Sequence, residues 1–183
     1  MKPRTKKALL FPILLFLVLT VFTGCSEDNT RLQKTLEDFS QALQQEPPNG
    51  LSLKIYYISP SIFTRAPLTV ESLIRMSKEQ EIVVDSECLR EHAALLKQFR
   101  ADVLTPVREL SFLDARACYL FETETGGTIL EVALGGANNS VFVNGVEVEY
   151  NELFYEIIAP FLTDAAREEI EIYFHGWFFS SPE

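Results

Sequence analysis

The chain has 183 residues, with 26 Asp and Glu against 16 Lys and Arg and a net charge of −10. Such an acidic surface repels phosphate backbones, which sets aside nucleic acid as a partner class. Three cysteines are too few for a disulfide-built scaffold, and the length suits one domain with a hydrophobic core of its own.

Residues 1–7 hold Lys2, Arg4, Lys6 and Lys7 and no acid, the basic head of an export signal. Residues 8–22 follow without a charge. As a helix this run spans about 22 Å, short of a hydrocarbon core of about 30 Å, and Pro12 weakens it further. Thr23 and Gly24 then place small side chains ahead of Cys25.

In this setting Phe22-Thr23-Gly24-Cys25 resembles the lipobox of bacterial lipoprotein precursors. The resemblance implies cleavage before Cys25, a diacylglyceryl group on its thiol, and acylation of the freed amine. Two or more chains give stable attachment where one is marginal, at about 0.8 kcal/mol per buried CH₂. The expected organisation is a signal peptide over 1–24, a lipidated tether over 25–30 and a single α+β domain over 31–183. The domain is then held by its lipid on a cell membrane, outside the cytoplasm. An uncut membrane anchor, or a plain secretory signal with Cys25 a bystander, are the other readings of these residues. Without the four bases of the head, 12 Lys and Arg face 26 Asp and Glu, a net charge of −14.

Beyond the tether, Asn29 or Thr30 is placed to cap a helix over 31–45, where Leu32, Leu36, Phe39 and Leu43 form one apolar stripe. That stripe suits either the domain's own sheet or a partner helix. Pro47-Pro48-Asn49-Gly50 ends it as a turn. Residues 51–58 alternate and are rich in β-formers, so they read as a strand. Thr69 precedes a short helix over 70–79, and Ile82-Val83-Val84 reads as a strand. Asp85 or Ser86 caps a helix over 86–99.

The second half reads as a meander. Residues 107–111 form a weak strand candidate and residues 115–122 a stronger one. Thr123-Glu124-Thr125-Gly126-Gly127 is a hairpin loop, residues 128–134 return, and residues 135–139 turn again. Residues 140–143 and 146–149 flank Asn144-Gly145, the strongest short hairpin signal, because both turn positions need positive φ. Asn151 caps a helix over 152–161 and Thr163 a last helix, although Ile170, Ile172 and Phe174 also alternate as a strand would. The fold class expected is α+β: an antiparallel sheet with a C-terminal meander and helices mainly on one face.

Candidate chemistry is sparse. Cys88 and Cys118 are an even pair that either forms a disulfide or serves as two small buried apolar residues. Cys88 and His92 share a helix face at a spacing fit for half a metal site, but His175 is the only other histidine, and no metal or cofactor is expected. Glu122 with Glu124, and Glu147 with Glu149, alternate at a spacing that suits either the carboxylates of a Ca²⁺ or glycosidase site or a solvated sheet face. Gly126-Gly127 and Gly135-Gly136 lack the phosphate-cradling pattern. The tail Tyr173-Phe174-His175-Gly176-Trp177-Phe178-Phe179 is apolar at nearly every position. Tyr173, Phe174, Trp177, Phe178 and Phe179 form either a surface for an envelope protein or peptide, or the end of the core. The expected role is non-catalytic binding, with an envelope hydrolase or a small solute-binding lipoprotein as alternatives.

Overall fold

A computed structural model of the chain describes residues 10–44, 50–107, 111–135 and 140–175, with side chains described between Glu27 and Tyr173. The first element, α1, is one unbroken helix over Leu10–Gln44. The sequence predicts a helix beginning only after a tether at 25–30, so this is a correction. No proline follows Pro12 before residue 45, and a lone Gly24 costs a helix about 1 kcal/mol, too little to stop it. Among the described residues no helix is long and apolar enough to cross a membrane. The expected stripe lies against the domain's own sheet: Leu32 and Phe39 are buried, and Leu36 and Leu43 pack partly buried on the same core.

The sheet has six strands in the order β2-β1-β3-β4-β5-β6, every neighbouring pair antiparallel. They are β1 (Ser52–Tyr57), β2 (Ile82–Val84), β3 (Ala115–Glu122), β4 (Thr128–Gly135), β5 (Val141–Val143) and β6 (Val146–Val148). The meander follows from turn chemistry, with Asn144 at φ 47° and Gly145 at φ 78°, the two positive angles of a type I′ turn. The fold is α+β, as the sequence indicates.

Register divides the side chains between two faces. Ile55, Tyr119, Val132, Val143 and Val146 lie in line across one face. This face carries the larger core, filled by α1, α3 (Ser86–Glu91), α4 (Ala93–Leu96), α5 (Leu153–Glu156) and α6 (Asp164–His175). Phe39 is its hinge-pin, edge-on to Phe121 at 4.8 Å and to Phe99 at 5.9 Å. Tyr56, Cys118, Ala133 and Phe142 line the other face under α2 (Val70–Ser77), whose Val70 and Leu73 cover them. Cys88 packs on the first core and Cys118 is buried in the second, so the sheet stands between two free thiols. The disulfide alternative is thereby removed.

Helix ends follow local chemistry. Thr69 caps α2 by accepting from the Ser72 amide at 3.2 Å, and Asp85 caps α3 by accepting from the Cys88 amide at 2.9 Å. The expected helix over 86–99 breaks at His92, whose backbone leaves helical geometry at φ −104°, ψ 13°. The one over 152–161 is α5 followed by a 3₁₀ turn at Ala159–Phe161, where Pro160 removes an amide donor. Asn151 accepts from the Leu153 amide at 2.9 Å, and Thr163 from the Ala166 amide at 3.2 Å. The last segment stays helical to His175 rather than becoming a strand.

Residues 107–111 are not a strand where described. Pro106 makes a single bridge to Val148, while Val107 donates to the Glu147 carbonyl and Glu149 to that of Thr105. The segment is a strap along the outer edge of β6, where it covers otherwise unpaired backbone groups. Residues 108–110, and 136–139 of the expected turn, lie outside the described residues; Gly135 itself belongs to β4.

Among the described residues, the Tyr119 hydroxyl is fully buried without a hydrogen-bond partner. An unpaired buried hydroxyl costs about 1–3 kcal/mol. Tyr119→Phe is therefore expected to leave stability unchanged or raise it by up to about 2 kcal/mol in urea unfolding. A loss beyond about 1 kcal/mol would show that the hydroxyl has a partner.

Candidate functional site

The sheet has two ends, and they differ. At one, β1 finishes and β3 begins. Arg116 is the node there. It donates to Asp114 Oδ2 from Nε at 3.1 Å and from Nη2 at 2.7 Å. Its Nη1 also reaches the Ile62 carbonyl at 3.1 Å, and Nη2 the Thr64 hydroxyl at 2.9 Å. Asp114 Oδ1 accepts from the Leu68 amide at 2.9 Å. The loop over residues 59–67 is thus fastened to the segment preceding β3. Further along, the Ser111 amide and hydroxyl both donate to the buried Glu147 carboxylate.

Fastened backbone here presents apolar side chains to water. Phe63 lies between the two residues that Arg116 holds and is 88% exposed. Phe112 lies between Ser111 and Asp114 and is 93% exposed, with Ile62 at 43%. Single exposed apolar residues are ordinary, but here two nearly bare aromatic rings stand on loops held by one node. Burying such a ring is worth about 1.5–3 kcal/mol.

The last turn of α6 reaches the same place. Tyr173 donates its hydroxyl to the Ile58 carbonyl at 2.7 Å. Burial is the first cause that holds this phenol above its usual range; the positive charge of Arg116 pulls the other way. Tyr173 is only 4% exposed and belongs to the core, on the same side of α6 as Ala166 and Ile170. It therefore leaves the set of surface candidates. The side chain of Phe174, and Trp177, Phe178 and Phe179, lie outside the described residues.

The other candidates separate. The Nδ1 atom of His92 is 3.0 Å from the Cys88 carbonyl oxygen, and its ring stands edge-on to Phe161 at 4.8 Å, as a packed residue would. No group of three or more potential metal ligands occurs among the described residues. Glu122 is paired with Lys54 at 2.7 Å, and Glu147 is taken by Ser111, while Glu149 is exposed. Glu124 is exposed and lies over Gly50. Glu131, under partial cover, is held above the usual carboxylate range by burial first and by the charge of Glu71 second. Burial likewise raises the Cys118 thiol, with Glu131 adding to it, so this cysteine is kept protonated and unreactive.

At the opposite end of the sheet α1 crosses the β5–β6 turn. Arg31 Nη2 donates to the Asn144 carbonyl at 2.9 Å. Asn144 Nδ2 donates to the Thr35 hydroxyl at 2.8 Å and to the Ile129 carbonyl at 3.2 Å, while its Oδ1 accepts from the Glu131 amide at 2.7 Å. Beside this clamp runs a shallow groove of about 430 Å³, lined by Arg31, Lys34, Asp38, Thr128 and Asn144 among others.

Set against known proteins, the chain matches no family model, no curated protein and no solved structure. Phe63 and Phe112 escape sequence reasoning because a lone phenylalanine between turn residues looks like any satellite of a core. Ser59-Pro60 and Pro67 around Phe63 were the available signal, since a proline-bracketed loop has little means of turning its ring inward.

Proposed function

We propose that this protein is a lipid-anchored protein of the bacterial cell envelope, with a non-catalytic binding role carried by the aromatic end of the sheet. The observation that carries the anchor is Phe22-Thr23-Gly24-Cys25 behind a basic head and an uncharged run. The geometry of α1 is compatible with it. Arg31 is fastened at the β5–β6 turn, and Cys25 lies six residues earlier on the same helix, about 9 Å along its axis. Phe63 and Phe112 stand on loops beside the start of β3, away from the β5–β6 turn that holds Arg31. Their exposed rings are the surface for a protein or peptide partner.

The anchor is tested by mass spectrometry of the mature N-terminus and by fractionation of cells carrying Cys25→Ser. Wild-type protein is expected in the membrane fraction with an acylated Cys25 as first residue. The variant is expected to keep residues 1–24 uncleaved and to gain no acyl mass. An unmodified Cys25, or an intact leader on the wild-type protein, overturns the reading.

A further inference from the structure

We propose that the groove beside the Asn144 clamp is a binding site for a single phosphate group carried on a small polar ester. Arg31 and Lys34 lie three residues apart on α1, so they share one side of the helix, and both line the groove. The chain has 26 acids against 16 bases, yet among the described residues neither of these two cations stands in an ion pair with a carboxylate. Arg31 is also held in place. One N–H of its Nη2 goes to the Asn144 carbonyl at 2.9 Å, which leaves the rest of its donor fork for a ligand. Thr35 adds a donor from the floor. It is 6% exposed, and its hydroxyl oxygen accepts from Asn144 Nδ2 at 2.8 Å, so its own hydrogen is left to give. Thr128 brings an exposed hydroxyl from the start of β4.

Cationic and hydroxyl donors lining one groove are the chemistry of phosphate recognition, and the planar guanidinium fork matches a phosphate with two parallel bonds. Asp38 sets the limit. It is the one carboxylate of the lining, four residues after Lys34 on α1, so the groove suits a single phosphate and resists a polyanion. The groove's volume of about 430 Å³ falls within the usual range of ligand clefts and leaves room for the polar part of the ester. The site does not depend on the lipid anchor. Where the anchor also holds, bilayer headgroups are one source of this phosphate chemistry beside α1, and soluble phosphate esters are the other.

The full chain in dodecyl maltoside micelles, which hold no phosphate, is titrated by calorimetry with glycerol phosphate and, separately, with micelles carrying phosphatidylglycerol. Saturable heat is expected. Heat with glycerol phosphate assigns a soluble ester, and heat with phosphatidylglycerol alone assigns a lipid headgroup. Lys34 and Asp38 are exposed and make no bond to Asn144, so their variants leave the clamp intact, and far-UV circular dichroism checks the fold. Lys34→Gln is expected to weaken binding roughly five- to ten-fold. Asp38→Asn, which removes the repelling charge, is expected to tighten it about two-fold. Three results overturn the site: no saturable heat with either probe, equal affinity in Lys34→Gln, or no gain in Asp38→Asn. None of them bears on the mass of Cys25.

Discussion

Phe39→Ala is expected to lower the stability of the domain by about 3–5 kcal/mol, the usual range for deleting a fully buried ring. Phe39 is 1% exposed and stands edge-on to both Phe99 and Phe121, and Phe99 in turn meets Phe154 at 5.7 Å. One ring thus joins α1, the segment after α4, β3 and α5. Among the described residues of α1, Leu32 is the other apolar residue buried in this core, with Leu36, Ala42 and Leu43 partly buried beside it, so the ring is the largest single apolar contact that α1 makes. For a domain near this size each kcal/mol moves the melting temperature by about 2–4 °C, so a fall of roughly 6–20 °C is expected in thermal unfolding followed by circular dichroism. A loss under about 1 kcal/mol would mean that α1 is not docked as described.

Asn144→Ala is expected to cost about 2–4 kcal/mol, through two separable effects. Its backbone sits at φ 47°, which asparagine tolerates and alanine resists. Its side chain bonds the Glu131 amide, the Ile129 carbonyl and Thr35, a hydroxyl on a residue only 6% exposed. Removing the amide group leaves those partners under cover without a replacement. Asn144→Gly tests the division, since glycine accepts the backbone angle and restores none of the bonds. The glycine variant is expected to fall between wild type and alanine in urea unfolding. Equality of glycine with wild type would mean that the side-chain bonds contribute nothing to stability.

Local signals carried much of the fold. The limits of β3, Ala115–Glu122, are read from the sequence because turn residues bracket it on the C-terminal side and an apolar run fills it. The Asn144-Gly145 turn and the caps Thr69 and Asp85 are equally local, each a residue type whose chemistry matches its angle or its bond. What the sequence misplaces depends on distant partners. Residues 25–30 look like a tether because they are polar, yet polar residues continue a helix as readily as apolar ones. Residues 107–111 look β-forming, but their place is a strap fixed by Glu147 some 36 residues later. Tyr173 reads as part of an exposed aromatic run, while the helical period turns it onto the side of Ala166 and Ile170. Phe63 and Phe112 are the converse, exposed through the Arg116 node, which forms only when residues 52 or more apart in the chain are brought together.

The docking of α1 bears on the order in which the molecule can assemble. Arg31 and Thr35 find their partner in Asn144, 113 and 109 residues downstream, and Tyr173 finds Ile58 across 115. Contacts at such separations close large loops and slow folding. The leading helix meets Phe99 and then Phe121, but its hydrogen-bond partner Asn144 is made later than either. A first element whose partners arrive so late stays unclamped while most of the chain is being made, and its docking belongs to the closing stages of assembly.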